Sequence, residues 1–562
     1  MKLESVVASQ WKKLAVHIMQ GQLLLPFYPS HMQARKHFFE KVQSNDGTAF
    51  VAYESKLPRL FFCVEQGQVI NALVASTAEM SWSTFFQIIE RFYKQRFQTE
   101  SLFTFSEPLN IYLQECFVKH GYFSKGSTFV KKLTYKTALV LGGGGARGAY
   151  QIGVWQALKE LQIPITLVTG TSVGALNGAL ILQDDFAAAK EMWEKITTEK
   201  ILSFPVASNS AATFGGLLNQ ISAFTLAAIQ SRGVSTQPLQ QLISDTFSLK
   251  KMQQSSLDFY LAVTELPSMQ EKTIHFSECS GQWQRWLLAS ASFFPAMAAA
   301  RIDENYFVDG GYRNNIPVDI ALAQGATECI VVDVKGPGIT KSVKVPQETS
   351  ISLLQTPWSM GNVLLFDGVR STQNIQLGYL ETMKKIGRKY LGYWYTFDES
   401  LASLKKFQQA FFSFLKKTYQ IKIGSIFEQQ DKIYKKMRRV YKDRVYAETI
   451  GLALLELLAK SNEISAAKLY TVQELIEQLQ QKRQLKTTLT DTIGMISVQE
   501  WLRKYYDEYF LLSDKQQLLL LSNLLNVDIK EKQQRLIFLL DKLPVQTLQI
   551  LMKEFIQQGV KE

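Results

Sequence analysis

The sequence predicts an α/β core set between a small N-terminal α/β module and a helical C-terminal region. Three stretches predict the core. The apolar run 137–141 passes into Gly142-Gly143-Gly144-Gly145-Ala146-Arg147-Gly148 and then into the helix-like 149–161. A second apolar run, 165–168, turns through Gly170-Thr171-Ser172-Val173-Gly174 into the helix-like 175–182. Two successive strand–turn–helix units are the repeat from which α/β sheets are built. A third apolar strand, ending Phe307-Val308, delivers Asp309 into Gly310-Gly311.

Taken in order, the glycine loop comes first. Adjacent glycines let backbone N–H groups converge on one point, and the following helix adds the positive end of its dipole. Such a nest suits a phosphate or the oxyanion of acyl transfer. Gly143, Gly145 and Gly148 also satisfy G-x-G-x-x-G, but a dinucleotide site wants an acidic residue at the end of the next strand. That strand here ends in Thr169-Gly170, and no Gly-Lys-Ser/Thr supports a Walker loop. A glycine-rich turn without chemistry is the plain alternative. The second turn is a G-x-S-x-G pattern, in which Gly170 and Gly174 relieve the crowding of a sharp turn that exposes Ser172. The oxyanion reading of the first loop fits best, because this candidate nucleophile lies one βα unit later. Asp-Gly alone is a common turn signal, but beside a nucleophile Asp309 becomes a candidate base. Of the five histidines, His17, His31, His37, His120 and His275, none follows Asp309. His275 sits in a polar stretch and reads as a surface residue.

These three motifs in this order resemble the patatin-like phospholipase family, in a bacterial form with N- and C-terminal extensions. The segments 288–295, with its A-S-A-S-F-F-P, and 314–318, N-N-I-P-V, extend the likeness, as does 370–395 with Asn374 and Leu377-Gly378-Tyr379. The resemblance covers 136–395. It implies a three-layer α/β/α fold with a mainly parallel sheet and a lipid acyl hydrolase of phospholipase A or esterase type. Ser172 would be the nucleophile and Asp309 the base of a dyad, with no metal and no cofactor. Backbone N–H groups of Gly143, Gly144 and Gly145 would hold the oxyanion, and Arg147 would orient the loop or assist anion binding. A lone aspartate is a weak base near neutrality, so partial burial should raise its pKa. An acyltransferase or thioesterase using the same dyad is the nearest alternative. A non-enzymatic scaffold on anionic membranes is the other.

Composition sets the surroundings. The chain has 562 residues, a net charge of +12 and 46% hydrophobic content, enough for several domains. The expected division is 1–135, an α/β module that faintly resembles a degenerate acetyltransferase; 136–337, the catalytic domain; and 338–562, helical. There is no signal-like N-terminus and no long apolar run, and the four cysteines are scattered, so a cytoplasmic location is expected. No metal-ligand spacing occurs. Residues 384–444 hold 16 Lys/Arg against 5 Asp/Glu, interleaved with aromatics. That suits an anionic membrane surface on the inner face; the competing reading is a helical domain with aromatic core and solvated lysines. No nucleic-acid motif is present, and the terminal regions are candidates for a protein partner. Residues 204–233 read as a lid over an acyl pocket, with Phe224, Leu226 and Ile229 as chain contacts. Thr471-Val472-Gln473-Glu474 reads as a capping box opening a helix.

Overall fold

The computed structural model describes residues 2–20, 22–23, 27–44, 47–75, 79–202, 235–279, 281–294, 296–346, 349–421, 430–443, 445–482 and 498–559. They fall into two units, Met1–Gly387 and Arg388–Glu562. The expected lid, 204–233, and Pro295 lie outside the described residues.

The core sheet contains β1 (Thr137–Leu141), β2 (Leu167–Thr171), β3 (Asp258–Leu266), β4 (Gln270–His275), β5 (Ala300–Ile302), β6 (Asn305–Asp309), β7 (Glu328–Val332) and β8 (Ser350–Leu354). Their order is β5-β6-β3-β2-β1-β7-β8, with β4 on the other edge of β3. Strands β3, β2, β1, β7 and β8 run parallel, and β4, β5 and β6 join antiparallel. The main helices are α1 (Ala149–Glu160), α2 (Val173–Leu182), α3 (Phe186–Glu194), α4 (Gln237–Thr246), α5 (Trp283–Ala291) and α6 (Gly368–Lys385).

Strand alternation makes three layers. Leu139, Val168 and Phe259 are in register across β1, β2 and β3. They line the face that receives α2, whose Gly178 lies against Val168 and Phe259. Ala138, Val140 and Leu167 point the other way and form one cluster with Ala321, on the short helix Val318–Ala323, and Val331. Helices thus cover both faces of a largely parallel sheet, which is the three-layer α/β/α core that the sequence predicts.

The core domain does not end at 337. Strand β8 pairs parallel with β7 along its whole length, and α6 packs on α1. The pattern reading of 338–387 as the start of a helical region is therefore corrected. Ser350–Leu354 is too short and too polar at alternate positions to stand out, and only pairing with a buried neighbour makes it a strand.

The N-terminal module is a second sheet of eight strands. Helices Trp11–Met19 and His31–Ser44 cover one side and Trp82–Lys94 and Ile111–Lys119 the other, giving two separate apolar clusters. It is tied to the core through a buried ion pair, Lys94 Nζ to Glu328 Oε1 at 3.2 Å. Lone buried charges are costly, so each of these groups needs the other in place.

The second unit is helical, with a two-residue parallel pair between Thr396–Phe397 and Leu469–Tyr470. The capping box forms as expected: Thr471 caps Glu474 N–H at 3.1 Å and Glu474 accepts from Thr471 N–H at 2.8 Å. Many aromatic rings of the basic segment lie inside this unit, with Tyr393, Phe412, Phe414 and Tyr434 half-buried. Tyr390, Trp394, Tyr395, Phe407, Phe411, Tyr419 and Tyr441 are all buried. The carboxylate of Glu456, itself fully buried, accepts N–H bonds from Tyr393 at 2.9 Å and Tyr395 at 2.7 Å. On the helix Leu401–Tyr419, Phe407, Phe411 and Leu415 recur at helical spacing and face inward, while Lys406, Lys416, Lys417, Lys435, Arg438 and Arg439 stay exposed. Among the described residues, no helix is long and apolar enough to cross a membrane.

Candidate active site

Sheet register places the two reactive side chains. Strand β4 covers one edge of β3, so β2 and β6 share the other edge. There β2 ends with Thr171 opposite Ala262, and β6, running the opposite way, ends with Asp309 opposite Val263. Two strands thus meet tip to tip on adjacent positions of β3. Ser172, the next residue after β2, is thereby brought beside Asp309, where its hydroxyl favours the charged carboxylate.

The turn at Ser172 is strained. Ser172 has φ 56° and ψ −126°, a conformation that few non-glycine residues adopt. Its neighbours must lack side chains: a Cβ on Gly170 would stand 2.4 Å from the Gly174 carbonyl oxygen, and one on Gly174 would stand 2.1 Å from that of Leu141. The Ser172 N–H donates to Ser290 Oγ at 3.1 Å, and Ser290 Oγ donates to the Ala262 carbonyl at 2.8 Å. The buried Ser290 therefore pins the strained turn to β3.

Asp309 is 4% exposed. Burial pushes its pKa up to about 6, against the Ser172 hydroxyl and the Gly311 N–H, which favour the charged form. The Gly311 N–H donates to Asp309 Oδ1 at 2.7 Å and holds the carboxylate in place. His275 takes no part. It lies on β4, stacked on Tyr260 at 4.4 Å, with Nδ1 2.8 Å from Ser277 Oγ.

The glycine loop needs one correction. The Gly143 N–H donates to the Asn315 carbonyl at 3.0 Å. It is already committed, so it cannot serve an oxyanion while that bond stands. Gly144 and Gly145, by contrast, line the cavity beside Ser172. Arg147 does not line it. Buried to 8% exposure, it donates Nε to the Gly361 carbonyl at 2.8 Å and Nη1 to that of Lys335. It thereby staples the loop to two later segments, and its guanidinium is turned away from the cavity lining.

A chain of buried polar side chains was missed in the sequence. Trp193 Nε1 donates to Asn177 Oδ1 at 3.0 Å, and Asn177 Nδ2 donates to Gln151 Oε1 at 2.8 Å and to the Gly148 carbonyl at 2.9 Å. Gln151 Nε2 then donates to the Gly142 carbonyl at 2.7 Å. The carbonyls at both ends of the glycine loop are thereby anchored to α1 and α2. The signal was available, because Asn177 is the one polar side chain in V-G-A-L-N-G-A-L-I-L. Asn177→Leu leaves Trp193 Nε1 and Gln151 Oε1 buried without their partner. It is expected to cost about 2–4 kcal/mol in a urea melt, with turnover falling as the loop loosens.

Ser172 and Asp309 open into a cavity of about 780 Å³, a volume typical of small-molecule sites. Its far wall is apolar: Met192, Ile196, Leu202, Leu239, Ile243 and Phe366. Leu202, Leu239 and Ile243 are buried. Ester chemistry at Ser172 would thus have a dry slot for a hydrocarbon chain. Among the described residues, no group of three His, Cys, Asp or Glu side chains comes together as a metal site.

Residues 139–322 match the family model Patatin-like phospholipase, a span that includes Ser172, Asp309 and the glycine loop. The chain is 31% identical over 226 residues to Patatin-like phospholipase domain-containing protein 6 of Homo sapiens, covering 38% of this chain and 14% of that protein. It is 28% identical over 206 residues to Patatin-like phospholipase domain-containing protein 7 of Rattus norvegicus, covering 35% and 13%. With Lysophospholipase NTE1 of Mycosarcoma maydis the identity is 31% over 204 residues, covering 35% and 9%. The chain thus spans only a small part of the length of these relatives.

Proposed function

We propose that this protein is a lipid acyl hydrolase in which Ser172 and Asp309 form a catalytic dyad. The observation that carries the reading is the placement of Ser172 beside the buried Asp309, both lining one largely apolar cavity. The names of the similar proteins, phospholipase and lysophospholipase, agree with it.

The chemistry follows from the geometry. Asp309 accepts the Ser172 hydroxyl proton as Oγ attacks the ester carbonyl. The carbonyl oxygen becomes an oxyanion facing the N–H groups of Gly144 and Gly145. As the tetrahedral intermediate collapses, the ester C–O bond breaks and Asp309 returns its proton to the leaving alkoxide. Water then repeats the sequence on the acyl-serine, with Asp309 as base, and releases a fatty acid. The apolar cavity holds the acyl chain throughout.

Ser172→Ala is the direct test, assayed on a short-chain nitrophenyl ester and on a long-chain lysophospholipid. Turnover is expected to fall at least about ten-thousandfold, as when a serine nucleophile is removed elsewhere. The unfolding midpoint should not drop, since a half-buried hydroxyl on a strained turn contributes little to stability. Turnover that survives in the variant would place the nucleophile elsewhere.

A further inference from the structure

Building on the acyl-hydrolase reading, we infer that Arg313 binds the phosphate of the substrate, so that the preferred lipids are phosphate-bearing esters and not neutral glycerides. The position is set by the same strand that supplies Asp309. After β6 the chain makes a single 3-10 turn, Gly310–Tyr312, and Arg313 follows at once, its N–H donating to the Gly310 carbonyl at 3.0 Å. It lines the cavity together with Gly311, Met269, Gly338 and Ile339.

Two features single it out. Among the described residues that line the cavity, Asp309 and Arg313 are the only charged ones. The cavity is also polarised along its length, buried and apolar at Leu202, Leu239 and Ile243, exposed at Arg313 and Ile339. A chain in the buried end and a carbonyl at Ser172 leave the alcohol part of the ester to exit past Arg313.

The other cations near this face are already committed. Lys341 pairs with Glu271 and with Asp319, the latter at 2.8 Å. Lys335 donates to the Thr356 carbonyl, and Arg147 holds two carbonyls. Arg313 uses only Nε, which donates to the Met269 carbonyl. Among the described residues, its two Nη groups have no partner. One anchored nitrogen and two free ones on a planar fork give the geometry of bidentate phosphate binding. Asp309 does not consume the charge either, because burial and two neutral donors set its behaviour.

The experiment compares palmitoyl lysophosphatidylcholine with monopalmitoylglycerol, both kept monomeric, for wild type, Arg313→Gln and Arg313→Lys. The ratio of kcat/KM for the lysophospholipid over the glyceride is expected to fall about ten- to hundredfold in Arg313→Gln, mostly through KM. Arg313→Lys should recover part of the ratio. Equal losses on both substrates, or no loss, would overturn the inference. Binding of the uncleavable hexadecyl ether analogues, measured by calorimetry in the full chain, separates the two claims. If wild type cleaves neither ester but Arg313→Gln still loses affinity only for the phosphate-bearing ether, the phosphate site stands and the hydrolase reading falls. If esters are cleaved and both ethers bind Arg313→Gln as they bind wild type, the hydrolase stands and the phosphate site falls.

Discussion

Asp309→Asn is expected to lose turnover about a hundred- to ten-thousandfold while making the protein harder to unfold. The two effects have one cause. Burial raises the Asp309 pKa to about 6, which makes the carboxylate a better base and a costlier one to hold. Catalysis needs the charged form, so wild-type kcat/KM should rise with pH, level off above about 6, and fall tenfold per unit below it. An aspartate in water would hold its activity two units lower. The stability effect has the opposite sign. Because the folded pKa lies above the unfolded one, the stability contribution is complete below the unfolded value and is lost as pH rises through about 6. At pH 8 a shift of this size costs about 3 kcal/mol. Asparagine removes the charge and keeps an oxygen for the Gly311 N–H, which lies 2.7 Å from Oδ1 in the native site. Thermal melts at pH 8 should show a higher midpoint for the variant, and the gap should narrow as the pH is taken toward 4. A variant that is inactive but no more stable would mean that the native carboxylate is solvated or already protonated. Activity exchanged for stability in this way marks a site held charged against its surroundings.

What could be read from the sequence was local. Residues 137–148 and 165–182 announce strand, turn and helix, because each glycine cluster interrupts an apolar run and each change of period falls beside it. Thr471 and Glu474 announce a helix start for the same reason, since both partners of the capping box lie within one turn. The misses at the glycine loop were of long range. Gly143, Gly144 and Gly145 are equivalent in sequence, and what separates them is the carbonyl of Asn315, which takes the Gly143 N–H. Arg147 looks like an anion ligand until the carbonyls of Lys335 and Gly361 claim it. The basic segment 384–444 has the composition of a membrane surface, but Phe407, Phe411 and Leu415 fall at helical spacing on one buried side. Composition counts residues without assigning them to faces, and the faces decided the outcome. Ser172 and Asp309 could be nominated because their turns are distinctive. Their meeting on one edge of β3 could not be seen, because it depends on strands drawn from separate parts of the chain.

Gly378→Val is expected to be the most damaging change outside the dyad. A Cβ on Gly378 would stand 2.0 Å from the Tyr150 carbonyl oxygen, and one on Gly153 would stand 1.8 Å from that of Ile375. Helices α1 and α6 therefore touch backbone to backbone, and neither can accept a side chain there unless they part. Parting them also breaks a buried polar knot: Tyr150 donates to Glu381 Oε2 at 2.9 Å, and Thr356 donates to Oε1 at 2.8 Å. Burial already raises the Glu381 pKa, so losing these donors leaves an acid without compensation. Overpacking together with two unmet buried groups is expected to cost about 3–5 kcal/mol in a urea melt. Gly281→Ala, where nothing lies within 4 Å of the added carbon, is the control and should stay within about 0.5 kcal/mol of wild type. Turnover should fall with stability in Gly378→Val, because α1 continues directly from the glycine loop and carries Gln151, which holds the Gly142 carbonyl. If Gly378→Val melts like Gly281→Ala, the two helices can separate freely and α6 is an accessory. If it collapses, the glycine loop depends on a helix that begins at 368, well beyond the last residue, 322, that the family model matches.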